Sequence, residues 1–137
     1  MIRELTEEDF EVYLALLGQM TKVIAYEKAI FLQTLQEIKL NSYICVLTLE
    51  GRVIGTGKVL HERKLFSPSS FVSHIEDIIV DKPYRGRGFG REIVRHLIEK
   101  AKALGSYKVI LSCSEATVPF YEKCGMIRRA NEMCQYL

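Results

Sequence analysis

No run of apolar residues in this 137-residue sequence approaches the about 20 needed to cross a membrane. The N-terminus, Met1-Ile2-Arg3-Glu4-Leu5-Thr6-Glu7-Glu8-Asp9, lacks the basic-then-apolar order of a signal peptide. Net charge is also scarce. The 19 Lys+Arg and 17 Asp+Glu leave +2, too little for a nucleic-acid partner held through many phosphates. Cysteine occurs four times (Cys45, Cys113, Cys124, Cys134) with no CxxC pair, which excludes zinc knuckles and dithiol redox motifs. A chain of this size needs no disulfide staple, so reduced thiols in the cytoplasm are expected. Neither His74 nor His96 has a second ligand at metal spacing, and no metal is expected. What is present is a 48% apolar composition, enough to exclude disorder and to build the core of one domain over residues 1–137.

The chain has no repeat, linker or low-complexity tract. Ile2–Leu5 reads as a short strand, and Thr6 with Asp9 resembles a capping box opening a helix that runs to about Met20. A second helix is predicted over Tyr26–Leu40, stopped by Asn41. Tyr43–Leu49 and Arg52–His61 read as strands joined by a hairpin turn at Glu50-Gly51. The polar segment His61–Ser73, holding Pro68, reads as a loop, and Val72–Val80 as a strand limited by Pro83. Ile93, Val94, Leu97, Ile98, Ala101 and Leu104 mark a helix over Arg91–Leu104, closed by Gly105. A buried strand follows at Tyr107–Cys113, then a short helix at Val118–Lys123 ending at Gly125. One or two final strands fall within Met126–Leu137. This order predicts an α/β domain with a mixed central sheet flanked by helices.

The most informative stretch is Arg85-Gly86-Arg87-Gly88-Phe89-Gly90-Arg91, between a predicted strand and a predicted helix. Glycines let the backbone approach a phosphate, successive N–H groups converge on it, and the helix N-terminus adds positive potential. Lys82, Arg85, Arg87 and Arg91 concentrate positive charge there. A Walker A loop is ruled out because no Gly-Lys-Ser/Thr follows, and the spacing GxGxG is not the dinucleotide fingerprint. A basic turn on a solvated face remains the plain alternative. Likewise, the Phe120-Tyr121 pair reads from residue type alone as core packing in a short amphipathic helix, and single lysines such as Lys64 and Lys108 as surface charge. Glu76 and Asp77 are adjacent, so regular strand alternation sends them to opposite faces.

Arg85, Gly88 and Gly90 fit the pattern Arg/Gln-x-x-Gly-x-Gly/Ala of an acyl-CoA pyrophosphate loop, and with the element order the chain resembles the GNAT superfamily of N-acetyltransferases. His74-Ile75-Glu76-Asp77-Ile78-Ile79-Val80, Tyr107-Lys108-Val109-Ile110-Leu111 and Val118-Pro119-Phe120-Tyr121-Glu122-Lys123-Cys124-Gly125 narrow the likeness to the glucosamine 6-phosphate N-acetyltransferase family. The match is strongest from about Arg63 to Gly125. The resemblance implies a single-domain GNAT fold with acetyl-CoA as co-substrate. It also implies transfer to the amine of D-glucosamine 6-phosphate by direct attack in a ternary complex, toward UDP-N-acetylglucosamine. An intertwined homodimer exchanging C-terminal strands is implied too.

The same resemblance assigns roles. Ile78, Ile79 and Val80 would bind the pantetheine arm through their backbone. Arg85, Gly86, Arg87, Gly88, Phe89, Gly90 and Arg91 would hold the pyrophosphate, with Lys123 also on the cofactor side. Tyr121 would be the general acid toward the departing thiolate. Glu76 and Asp77 would contact the sugar or its amine, and an acceptor for the amine proton is needed because an ammonium cannot attack a thioester. Thr21, Lys64, Leu65, Phe66, Ser67, Tyr107, Lys108 and Ser112 would line the sugar phosphate. The chain departs from the family at two points: Ser112 stands where the family has Asp, and its end, Gln135-Tyr136-Leu137, lacks the family's Arg. Two other functions stay open, acetylation of a different small or protein amine and a non-catalytic CoA-binding regulatory module.

Overall fold

In the computed structural model, which describes residues 1–137, strand β2 (Ser42–Leu49) is buried on both faces, so each face needs its own cover. Ile44 and Val46 meet Leu5, Tyr13, Phe31 and Leu35 beneath helices α1 (Phe10–Leu17) and α2 (Lys28–Ile38). Cys45 and Leu47 join Ile93, Val94, Leu97 and Ala101 of helix α3 (Phe89–Leu104) on the other side. Between these layers lies a five-stranded sheet ordered β1-β2-β3-β4-β5. Strands β1 (Ile2–Glu4), β2, β3 (Arg52–Lys64) and β4 (Ser67–Val80) run antiparallel, and β5 (Ser106–Ile110) is parallel to β4. The parallel pair follows from the crossover through α3. The short helix α4 (Val118–Glu122) packs Phe120 and Tyr121 against the α3 side of the core. The mixed α/β sheet expected from the sequence is present.

Local signals act as read. The Asp9 carboxylate accepts the Thr6 N–H at 2.9 Å and holds the Arg3 guanidinium through two bonds of 2.7 and 2.8 Å. Those Arg3 hydrogen bonds keep this buried carboxyl below the usual carboxylate range. Glu50 and Gly51 both take positive φ, as a tight turn between β2 and β3 requires. Helix α3 ends at Gly105, left-handed at φ 93°.

Two expectations are corrected. Residues His61–Ser73 are not a loop: β3 and β4 continue through His61↔Ser73, Glu62↔Val72 and Arg63↔Phe71 to a turn at Leu65-Phe66. Polar residues are stable there because they pair across the strands. His61 Nδ1 lies 2.8 Å from Ser73 Oγ, and the Arg63 guanidinium covers the Phe71 ring at 4.5 Å. Residues Met126–Leu137 form no strand, and Ile127 to Leu137 are exposed throughout. A strand needs a partner's N–H and C=O groups, and this chain sets none beside them. Element ends shift modestly: α1 closes at Leu17, α2 spans Lys28–Ile38, and β5 stops at Ile110.

Candidate active site

The pairing between β4 and β5 covers Phe71 to His74 and then stops, while β4 continues to Val80. The two strands therefore part, and β4 presents an unpaired edge. The Asp81 N–H donates to the Ile54 carbonyl on β3, so by alternation Ile78 and Val80 turn their main-chain groups into the notch. The Val80 carbonyl is taken by Arg85 Nε at 2.8 Å. The notch thus offers amide hydrogen-bonding groups along an apolar strand, which suits a linear amide-bearing ligand.

A bulge opens β4 at the start of this edge. Thr56 pairs with Ile79 and Lys58 with Glu76, so Asp77 and Ile78 together face Gly57, and Asp77 takes φ +54°. Gly57 has no room for a side chain: a Cβ would stand 2.6 Å from Ile78 and 2.7 Å from Ile93. The bulge overturns the expectation that Glu76 and Asp77 serve opposite faces. Asp77 Oδ2 meets Lys58 Nζ at 3.0 Å, while Lys58 is also the cross-strand neighbour of Glu76. Glu76 is exposed and Asp77 half-buried. Behind the ion pair lies an apolar cavity of about 170 Å³ walled by Tyr13, Leu17, Tyr26 and Phe31. Burial, then the nearby Asp77 charge, pushes the Tyr13 phenol above its ordinary range.

Beyond the notch, a turn at Lys82–Tyr84 leads through Gly86 and Gly88 into α3. Gly88 has φ +90°, and nothing lies within 4 Å of where its Cβ would stand, so the loop's outer side is open. The N–H groups of Phe89, Gly90 and Arg91 precede the first α3 hydrogen bond, Glu92 N–H to Gly88 carbonyl at 3.2 Å. This row of free donors at a helix N-terminus is an anion cradle. Arg85 braces it from within: besides Val80, its guanidinium donates to Gln19 Oε1 at 3.2 Å. Gln19 also accepts the Lys82 N–H and donates to Asp81 Oδ1 at 2.8 Å. Arg87 is exposed and rests over Tyr84 and Phe89 at 5.7 and 5.2 Å. Gln19 escaped the sequence reading because its partners lie more than 60 residues away. Lys58 did leave a signal, a lone charge between the buried Gly57 and Val59.

Tyr121 stands next to this cradle through one intermediate. The Phe120 ring sits where a Cβ on Gly90 would be 3.2 Å from its Cζ, and it meets Tyr121 edge-on at 4.9 Å. Burial, with Cys113 and Cys124 nearby, raises the Tyr121 phenol above its ordinary value, so it carries its proton at neutral pH. Lys123 caps α4 and is exposed.

A second group forms at the β3–β4 tip. Phe66 meets the Tyr107 ring at 6.2 Å, and Lys108 Nζ lies 5.6 Å from that ring. Lys64 Nζ is held by Glu62 at 2.5 Å, and the other Glu62 oxygen by His74 Nε2 at 2.9 Å. The Lys64 hydrogen bond leads in lowering the Glu62 carboxyl. Of the residues expected around the sugar phosphate, Phe66, Tyr107 and Lys108 are brought together, while Lys64 is engaged by Glu62, Ser67 by Ser70, and Leu65 is exposed. Thr21, in the turn after α1, and Ser112, beyond β5, are exposed and outside these contacts. No group of three or more His, Cys, Asp or Glu side chains is arranged to hold a metal.

Comparison with known proteins matches the fold. The model of the Acetyltransferase (GNAT) family matches residues 2–126. Glucosamine 6-phosphate N-acetyltransferase of Arabidopsis thaliana is 36% identical over 129 residues, covering 90% of this chain and 87% of that protein. The enzyme of the same name from Trypanosoma brucei brucei is 34% identical over 135 residues, covering 96% and 90%. The crystal structure of the Arabidopsis enzyme superposes with a TM-score of 0.93, covering 99% of this chain and 97% of the other.

Proposed function

The chain belongs to the acetyltransferase (GNAT) family, and we propose that it transfers the acetyl group of acetyl-CoA to the amine of D-glucosamine 6-phosphate. The observation that carries this reading is the parted β4–β5 edge running directly into the anion cradle, with the protonated Tyr121 phenol beside it. A pantetheine arm fits the edge, and a pyrophosphate fits the free N–H groups from Gly86 to Arg91. The amino-sugar phosphate is supported by the names of the two relatives above and by the Phe66, Tyr107 and Lys108 group at the hairpin tip.

The chemistry needs no acyl-enzyme. The free amine attacks the thioester carbonyl carbon; the N–C bond forms as the C–S bond breaks. The Ile78 N–H in the notch stabilises the carbonyl oxygen as charge develops on it. Tyr121 donates its proton to the departing sulfur, and the nitrogen sheds one to Asp77, Glu76 or water, so the proton count balances. Holding both substrates together supplies much of the rate.

A thiol-release assay with acetyl-CoA and a panel of amines tests the reading. Glucosamine 6-phosphate should give a kcat/KM at least about tenfold above glucosamine, because a site that binds phosphate loses that contact with the plain sugar. CoA release with a different amine alone would mark an acetyltransferase of other specificity. Acetyl-CoA binding without turnover of any amine would mark a binding module.

The working form we propose is a homodimer. Ile127, Met133, Tyr136 and Leu137 are at least 75% exposed on an unpaired tail, and β5 is an edge strand. Pairing of that tail with a second copy would cover both. Light scattering should give twice the chain mass, and deletion of residues 127–137 should give the monomer; a monomeric full chain would refute it. The four cysteines are free, and no helix is long and apolar enough to cross a membrane. The free thiols support a cytoplasmic setting.

A further inference from the structure

We propose that Lys58 is a positioning residue of the acceptor site: its ion pair with Asp77 makes the site receive the amine as the free base. This rests on the reading above, in which the acceptor amine approaches Asp77. Lys58 interrupts the strand run Ile54–Leu60 between two buried residues, and only a quarter of its side chain is exposed. A half-buried ammonium is costly unless paired. Its partner is Asp77, 3.0 Å away, whose side chain is 31% exposed and whose backbone is held in the left-handed region by the bulge. Strained backbone persists where surrounding structure enforces it, and such places cluster at working sites.

The groups facing Asp77 are few. Strand β3 supplies Lys58, α1 supplies Tyr13, the segment between α1 and α2 supplies Tyr26, and β4 itself supplies Glu76. Helix α2 brings Phe31, Thr34, Leu35 and Ile38, none of which titrates. Lys58 is thus the one cation of the set. A carboxylate with no cation beside it would stabilise the ammonium form of an arriving amine. An ammonium has no lone pair and is inert toward a thioester. With Lys58 already on Asp77, the arriving nitrogen meets a charge-balanced pair, and its protonated form gains little. Asp77 keeps oxygen lone pairs to accept an N–H from the neutral amine.

The test is the pH dependence of kcat with glucosamine 6-phosphate for wild type, Lys58→Met and Lys58→Arg. In Lys58→Met the limb reporting deprotonation of the bound amine should move to higher pH by about one unit. At pH about 6 the KM for the amino sugar should fall while kcat falls with it, since the ammonium binds better and reacts worse. Lys58→Arg should restore the wild-type limb, and acetyl-CoA affinity should be unchanged in both. Lys58→Gln carries the same expectation as Met where Met impairs folding. A limb that stays in place in the uncharged variants, or an equal loss of kcat in Met and Arg variants, overturns the role of Lys58. Absence of wild-type turnover with the sugar phosphate is a different result: it overturns the acceptor reading, and this inference with it.

Discussion

Tyr121→Phe should lower kcat by about two to three orders of magnitude while leaving acetyl-CoA affinity within about twofold, as removal of a general acid does. The expectation follows from where the phenol sits. It is half-buried on α4, and burial leads in raising its pKa. Phe keeps the ring and therefore the edge contact with Phe120. Loss of rate then reports on the proton and not on packing. Isothermal titration with acetyl-CoA and steady-state rates at saturating acceptor separate the two. A kcat equal to wild type would remove Tyr121 from the acid role.

Gly88→Val should weaken acetyl-CoA binding by about a hundredfold or more, because a branched side chain would occupy the space from which a phosphate reaches the loop N–H groups. Val at φ +90° is also strained, by about 1–3 kcal/mol. Strain and blockage are separable. Gly51 has φ +77° in the β2–β3 turn, with open space around its missing Cβ. Gly51→Val should therefore lose comparable stability in thermal melts while binding acetyl-CoA normally. Normal binding by Gly88→Val would refute the cradle.

The parts of the molecule legible in sequence are those whose causes are local. The apolar stripe of α3, its Gly105 stop and the glycine loop before it each carry their reason within a few residues, and each appears where expected. The β3–β4 extension was hidden because its stability comes from cross-strand pairs such as Arg63 on Phe71, invisible to a pattern of alternating apolar residues. The bulge at Asp77 was hidden for a related reason: an acid in the left-handed region leaves no local mark, and only register with β3 reveals it. Gln19 acts on residues 62 and 63 positions away. The roles proposed for Ile78, Tyr121 and the hairpin-tip residues come from the resemblance, while the brace on Arg85 and the partner of Asp77 rest on contacts between strands and turns far apart in the chain.

Helix α4 has five residues, too few to hold its own direction in water. Its aim comes from Phe120 resting against the bare backbone of Gly90, in the first turn of α3. The proposed proton donor is therefore packed against the proposed phosphate seat at the place where Gly90 lacks a Cβ. A side chain larger than hydrogen at position 90 would therefore push on Phe120 and, through its edge contact, on Tyr121.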